Sequence, residues 1–112
     1  MAAYVELYID QGTNFNTTIT LTDDVTNAPI NITGYTFRSQ MRRSYYSANA
    51  TANITCSIVN AVTGVVGMNL SSNVTSTIKA GRYLFDLESV DTNGGIQRVI
   101  EGIITVTPEI TR

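Results

Sequence analysis

The stretch that decides the fold is Gly81 to Arg112, GRYLFDLESVDTNGGIQRVIEGIITVTPEITR. In its first part Tyr83, Phe85 and Leu87 occupy every second position, and this period of two is typical of a half-buried strand. Residues 92–95, TNGG, tolerate the positive φ angles of a tight turn, and a second β-branched run follows them. The order of these features predicts a β-hairpin.

Placing Asn93 and Gly94 at the centre of the turn predicts how the two strands pair. An aromatic ring then lies over a cross-strand glycine, where it fills the gap that the missing side chain leaves. A slip of two residues would preserve the same facing, so the sequence leaves that alternative open. The predicted core-facing pairs are Tyr83 with Ile104, Phe85 with Gly102, and Leu87 with Ile100.

The rest of the chain repeats the pattern of short strands separated by turns. Alternating apolar residues predict strands at 4–10, 15–21, 34–42, 54–59 and 66–70. Pro29 has no N–H for a central ladder, so its segment is a connection or an edge, and residues 77–80 allow one short helical turn. We therefore predict one domain, residues 1–112, with an all-β fold: a seven-to-eight-stranded antiparallel β-sandwich of the immunoglobulin-like type.

The composition of the chain limits the kinds of molecule that it could bind. The 112 residues are 43% apolar and 14% charged, which fits a small folded domain. The net charge of −2 and the lack of a basic cluster argue against nucleic acid as a partner. No run approaches the length of a membrane-spanning helix, and the N-terminus lacks the pattern of a signal peptide. We expect no membrane partner and synthesis in the cytoplasm without export.

The sequence offers little for catalysis. It contains no histidine, so a Ser-His-Asp or Cys-His arrangement is impossible within the chain. The only cysteine, Cys56, lies in the apolar phase of a strand, which favours a small buried hydrophobe over a reactive thiol. Asp23-Asp24 suits a solvated turn better than a Ca²⁺ site, because the spaced ligands of a binding loop are missing. We predict no enzyme activity, no catalytic residue, no metal and no cofactor.

The positions of the charged residues test which strands are neighbours in the sheet. The predicted register puts Asp86 opposite Glu101 on the outward face, and like charges across a ladder repel. In an immunoglobulin-like arrangement the third strand neighbours the sixth, which brings Arg38 and Arg42 beside Asp86 and Glu88. We expect cross-strand ion pairs there, worth roughly 0.2–1 kcal/mol each if exposed.

Two groups of residues have the composition of contact surfaces. Leu84, Val99 and Ile103 fall in the outward phase of the last hairpin, which predicts an apolar patch for a partner. The alternative is that another strand or loop of the same domain covers them. Arginine and tyrosine are enriched at interfaces, and both occur at one loop mouth, although an exposed loop holding two tyrosines is also common. The residues at this loop mouth are Arg42, Arg43, Tyr45 and Tyr46.

Three segments carry a resemblance to a known family: NITGYTFRSQMRR (31–43), TGVVGMNL (63–70) and the run from Ala80 to Arg112. They contain a "G-Y-x-x-R" strand, an "A-G-x-Y-x-F-D-L" strand, a Gly-rich turn and a terminal "V-T-x-x-[IV]-T-R". The chain from about Gly12 to Arg112 is thereby similar to the N-terminal β-sandwich module of phage baseplate upper proteins.

The resemblance implies a non-enzymatic structural component of a tailed-phage virion. Such a protein would dock on capsid or tail subunits, and on copies of itself, as a tail or baseplate adaptor or as a capsid decoration (cement) protein. Baseplate upper proteins continue beyond this module, whereas the sequence stops at Arg112, which favours a standalone subunit. The alternative function is a carbohydrate- or cell-surface-binding module, in which Tyr45 and Tyr46 would stack on sugars.

Overall fold

A computed structural model describes residues 3–23, 25–44, 46–47 and 49–110. These residues are almost all β, with one single-turn helix, and none of their helical segments has the length and apolar character of a membrane span. The strands are β1 (Ala3–Asp10), β2 (Phe15–Thr20), β3 (Thr36–Arg42), β4 (Ala52–Asn60), β5 (Val65–Leu70), β6 (Gly81–Val90) and β7 (Ile96–Thr107), and the helix is α1 (Ser72–Thr75). The helical turn therefore comes before the 77–80 segment where the sequence analysis put it.

The strands follow the order β1-β7-β6-β3-β4-β5-β2 and form two layers joined by β4. The first residues of β4, Ala52 to Ile54, pair with β3, whereas Thr55 to Asn60 pair with β5. We call the layer β1-β7-β6-β3-β4 sheet A and the layer β4-β5-β2 sheet B. The neighbours β3-β6-β7 and β4-β5-β2 correspond to strands C-F-G and D-E-B of an immunoglobulin-like β-sandwich. The predicted fold class is confirmed.

One pairing differs from the predicted all-antiparallel arrangement. Strand β1 lies parallel to β7, from Ala3 beside Ile100 to Asp10 beside Thr107, so the sheet is mixed. The sequence pattern contains no direct signal for this direction, because alternation reports which face a residue occupies and not which way the strand runs.

The predicted hairpin register is confirmed in the core. Strand β6 pairs with β7 in antiparallel fashion, with Leu87 opposite Ile100 and Asp86 opposite Glu101; the predicted Tyr83 and Phe85 pairs are also present. Beyond Leu87 the register shifts by one residue, so that Glu88 lies opposite Arg98 and Val99 is the extra residue of a β-bulge.

The turn itself differs from the prediction. Its central residues are Thr92 and Asn93, because the N–H of Gly94 donates to the carbonyl of Asp91 at 3.1 Å. Gly94 has a φ of 83°, a conformation that glycine adopts without steric cost. The loop is thus one residue longer than predicted. The β-bulge at Val99 compensates for the extra residue, so the core pairs keep the predicted register. The two departures offset each other, which is why the core register was correct.

Tyr83 fixes the start of β6. Its side chain is 3% exposed, and its hydroxyl donates a 2.6 Å hydrogen bond to the carbonyl of Lys79, four residues earlier. A tyrosine at the start of strand F that bonds back to the upstream backbone is the tyrosine corner of immunoglobulin-like folds. The guanidinium carbon of Arg43 lies 5.0 Å from the centre of the same ring, within the range of a cation–π contact. These contacts position the hairpin against the core.

The core fills the space between the sheets, and Gly102 lies where β1 and β7 approach closely. The largest fully buried side chains include Ile9, Ile32, Met41, Met68, Leu87 and Ile104. A Cβ at position 102 would collide with the carbonyl oxygen of Val5 and lie 3.1 Å from the ring carbon Cε1 of Phe85. The missing side chain therefore lets β1 approach β7 while the ring of Phe85 covers the gap.

We predict that Gly102→Ala destabilises the fold by about 2–3 kcal/mol, because backbone and ring must both move to admit one methyl group. Urea unfolding followed by circular dichroism measures this change. The control is Gly94→Asn, at an open position where asparagine tolerates the positive φ, and a small effect is expected there. Equal stabilities of wild type and Gly102→Ala would contradict the tight packing of β1 on β7.

Candidate interaction surface

The outward face of sheet A carries most of the predicted surface residues. Leu84 and Ile103 lie directly opposite each other on β6 and β7, as the sequence predicted, and both are half-buried. Arg42 lies beside Leu84 on β3. An apolar pair therefore occupies the middle of an otherwise polar sheet face.

Two tyrosines that the sequence analysis did not select border this pair. The parallel register places Glu6 beside Ile103, so Tyr4 and Tyr8 lie two residues away on either side of that contact. Tyr4 and Tyr8 are 60% and 66% exposed. They alternate with Val5, Leu7 and Ile9, which face the core, but only the β1–β7 pairing shows that they flank the residue beside Ile103. The two rings therefore extend the predicted surface on either side of Glu6, whose Oε1 accepts a hydrogen bond from the Tyr4 hydroxyl, and we call Tyr4, Tyr8, Leu84 and Ile103 the sheet A patch.

Val99 was wrongly placed on this face. The bulge adds Val99 to β7, and its half-buried side chain packs against the core cluster. The same shift turns Arg98 outward, opposite Glu88. The bulge thus exchanges an apolar side chain for a charged one on the outer face, and the sequence pattern alone does not reveal the exchange.

Arg42 and Arg43 are adjacent in sequence at the end of β3, but their side chains make different contacts in the structure. Arg42 is half-buried, and its guanidinium donates to the carbonyl of Ser47 at 2.9 Å and to Oε1 of Gln40 at 3.0 Å. Arg43 lies over the ring of Tyr83 instead. Arg42 therefore holds the start of the following loop against the sheet A face, and Arg43 supports the core. They do not form one arginine surface.

The predicted tyrosine pair can be followed at one residue only. Tyr46 is 95% exposed in the loop after β3. Tyr45 lies outside the described residues. The loop therefore presents at least one ring to solvent, at the end of the strand whose last residue is Arg42.

In the described part of the chain, three ion pairs link the outward acids of β6 and β7 to Arg38 and Arg98. The predicted contact between Arg38 and Glu88 is confirmed, with 2.7 Å between Nε and Oε1. Asp86 does not pair with Arg42 as expected, since the Nε of Arg98 lies 3.4 Å from its Oδ2. Arg98 also reaches Oε2 of Glu101 at 3.3 Å, so this one guanidinium offsets the repulsion between the opposed acids.

Asp86 has the most perturbed environment of this network. Partial burial, and then the nearby charge of Glu88, raise the pKa of Asp86 above its ordinary value, while Arg98 acts in the opposite direction. The hydroxyl of buried Ser39 donates to the carbonyl of Asp86 and fixes its backbone. A shallow groove of 180 Å³ follows Asp86 across the sheet, between the side chains of Arg42 and Arg98. It is a recess in the outer face of sheet A, and the carboxylates of Asp86 and Glu101 that line it are paired with Arg98.

Cys56 and Asp23, which the sequence analysis weighed as a reactive thiol and a metal ligand, lie outside the sheet A patch. Their contacts are those of structural residues. Burial raises the pKa of the Cys56 thiol to about 11, and this half-buried side chain packs against the core. The Oδ1 of Asp23 accepts hydrogen bonds from the N–H groups of Val25 and Thr26, which lower its pKa. Asp24 lies outside the described residues. The described part of the chain holds no group of three or more Cys, Asp or Glu side chains placed for a metal ion.

Comparison with known proteins identifies the fold alone. No family model matches the chain, and no curated protein matches it. CopC from Methylosinus trichosporium OB3b has a TM-score of 0.51 at 8% identity, covering 99% of this chain and 88% of that one. The internalin-like protein lmo2027 of Listeria monocytogenes also has a TM-score of 0.51, at 18% identity, with 95% of this chain matching 28% of that one. Identities this low extend the likeness to architecture only.

We predict that Asp86 titrates above, and Asp23 below, the ordinary value of an aspartate. Arg98→Gln should raise the pKa of Asp86 further, because it removes the cation that stabilises the carboxylate, and should leave Asp23 unchanged as an internal control. Carboxyl ¹³C shifts followed by NMR across the acidic range measure both.

The direction in which Asp86 changes the free energy of unfolding with pH follows from which state binds its proton more tightly. A raised pKa means that the folded chain holds the proton of Asp86 more tightly than the unfolded chain does. The contribution of Asp86 to the free energy of unfolding therefore falls as pH rises from the unfolded to the folded pKa. A pKa for Asp86 at or below the ordinary value would contradict this account of its burial.

Proposed function

We propose that the protein is a non-enzymatic structural component of a tailed-phage virion that docks on neighbouring subunits through the outer face of sheet A. The observation that carries the proposal is the sheet A patch, in which Leu84 and Ile103 are flanked by exposed Tyr4 and Tyr8. Tyrosine at the centre of a contact buries a large amphipathic ring at low entropic cost. The resemblance of the sequence to the baseplate module supports the location in a virion.

The surroundings of the patch suit a specific contact. The ion pairs of Arg38 with Glu88 and of Arg98 with Asp86 and Glu101 form a partly exposed charged rim on one side of the apolar centre, toward the hairpin turn. A rim of this kind limits wrong partners and fixes the register of a contact more than it strengthens it. The subunit would act as a tail or baseplate adaptor or as a capsid decoration protein, and its role would be to bury this face against a neighbour.

The test is incorporation into particles. We expect the wild-type chain at stoichiometric levels in purified virions by quantitative mass spectrometry. Leu84→Gln and Ile103→Gln should each lower occupancy about ten-fold, because each removes apolar area from the contact without adding a charge. Val62→Gln is the matched control, since Val62 is 66% exposed at the turn between β4 and β5, away from the patch.

Circular dichroism of each purified variant separates a lost contact from a lost fold. Virions that lack the wild-type chain would refute the proposal. Folded Leu84→Gln and Ile103→Gln chains that are incorporated as well as Val62→Gln would refute the use of this face.

The second candidate, a carbohydrate- or cell-surface-binding module, is favoured by one observation. Tyr46 presents nearly its whole ring to solvent, as a sugar-stacking residue must. If this function is the correct one, a glycan array should show binding that Tyr46→Ala abolishes, with Tyr4→Ala as the control for general loss of an exposed ring. Binding that survives Tyr46→Ala, or no binding by the wild type, would count against it.

A further inference from the structure

Strand β2 leaves one edge of sheet B open. Among the residues that the structure describes it pairs with β5 alone, from Phe15 beside Leu70 to Thr20 beside Val65, and it stands last in the strand order. The N–H of Leu21 donates to the carbonyl of Gly64, on the β5 side. Because successive residues direct their backbone groups to opposite sides, the N–H and C=O groups that face the open edge belong to Asn16, Thr18 and Thr20.

This edge lacks the features that natural proteins use to prevent pairing. Edge strands are commonly protected by charged side chains, proline or bulges. Strand β2 reads FNTTIT, with no charge and no proline, and its ladder with β5 runs without a register shift. Strand β1, at the opposite end of the sheet, carries Glu6 and Asp10. The two open edges therefore differ, and β2 is the one left without protection.

From these observations we infer that β2 pairs with β2 of a second copy of this chain, in antiparallel fashion about a two-fold axis at Thr18. This inference goes beyond the proposed function and does not depend on it, since β2 belongs to sheet B and the docking face belongs to sheet A. It commits to a copy of the chain because β2 is complementary to itself.

The self-complementarity follows from the register. An axis at Thr18 places Thr18 opposite its own counterpart and Asn16 opposite Thr20 of the other copy, so all three edge-facing residues find partners within the strand. Each pair exchanges two N–H···O bonds, and threonine pairs across a ladder are favourable. On the inner side, half-buried Thr17 lies next to half-buried Ile19 of the copy, which extends the apolar layer across the junction. No like charges meet.

Two corresponding axes on β1 bring like charges together. A two-fold axis at Glu6 would oppose that carboxylate with its own copy, and an axis at Tyr8 would oppose Glu6 with Asp10. Self-pairing through β2 also creates an isologous contact, which closes at two copies and does not propagate. The expected product is a dimer with one continuous sheet, β4-β5-β2 joined to β2-β5-β4.

The experiment introduces a positive or a negative charge at the two-fold axis and measures dimerisation by sedimentation velocity. Chain concentrations reach about 1 mM, because a dissociation constant of that size is the weak end of specific affinities. We expect the wild type to dimerise. Thr18→Lys and Thr18→Glu should each weaken dimerisation by about ten-fold or more, because each opposes two like charges. An equimolar mixture of the two variants should recover the dimer, since Lys then faces Glu across the axis.

The matched control is the same pair of substitutions at Thr55, an exposed threonine on β4 of the same sheet but away from the edge. Thr55→Lys and Thr55→Glu should dimerise as the wild type does. A wild type that stays monomeric to the highest concentration would overturn the inference. So would Thr18→Lys that dimerises normally, or a mixture of the two Thr18 variants that stays monomeric. Particle incorporation is a separate measurement, so loss of the proposed function and loss of the dimer are distinguishable.

Discussion

The pairing of β6 with β7 is the constraint on which the rest of the structure depends. These two strands occupy the middle of sheet A, where β7 also receives β1 and β6 also receives β3. Their register decides which side chains enter the core and which form the outer face, because a shift of one residue reverses every facing. Tyr83 anchors the beginning of the pair through its bond to the Lys79 carbonyl. The bulge at Val99 decides how the pair ends.

Several features followed directly from the sequence. The alternation of apolar and polar residues predicted the strands, and the Gly-rich turn predicted the hairpin, because both depend on local backbone chemistry. The opposition of Leu84 to Ile103 and the pairing of Arg38 with Glu88 also followed, since they need only the hairpin register and the immunoglobulin-like neighbour of β6. These predictions use short-range rules or a single choice of topology.

The features that were missed depend on contacts between distant segments. A bulge of one residue moved Val99 to the core and Arg98 to the outer face, and no residue in that run marks the position of the bulge. Tyr4 and Tyr8 joined the patch only because β1 runs parallel to β7. Arg43 remains exposed but packs over the ring of Tyr83, 40 positions later in the chain, and so does not join Arg42 in one surface. Sequence periodicity reports facing and cannot report these neighbours.

The two strands at the ends of the described sheet order differ in the kind of contact that each proposed partner would make. Unpaired strand edges at both ends of the sheet order would allow uncontrolled growth unless one of them is protected. Glu6 and Asp10 protect β1, and the adjoining face of sheet A is left to side-chain contacts. Strand β2 retains bare backbone groups and threonines, which suit a contact made by main-chain hydrogen bonds. A copy at β2 and a different protein at the sheet A patch would therefore use different physical interactions, and occupation of one surface would leave the other accessible.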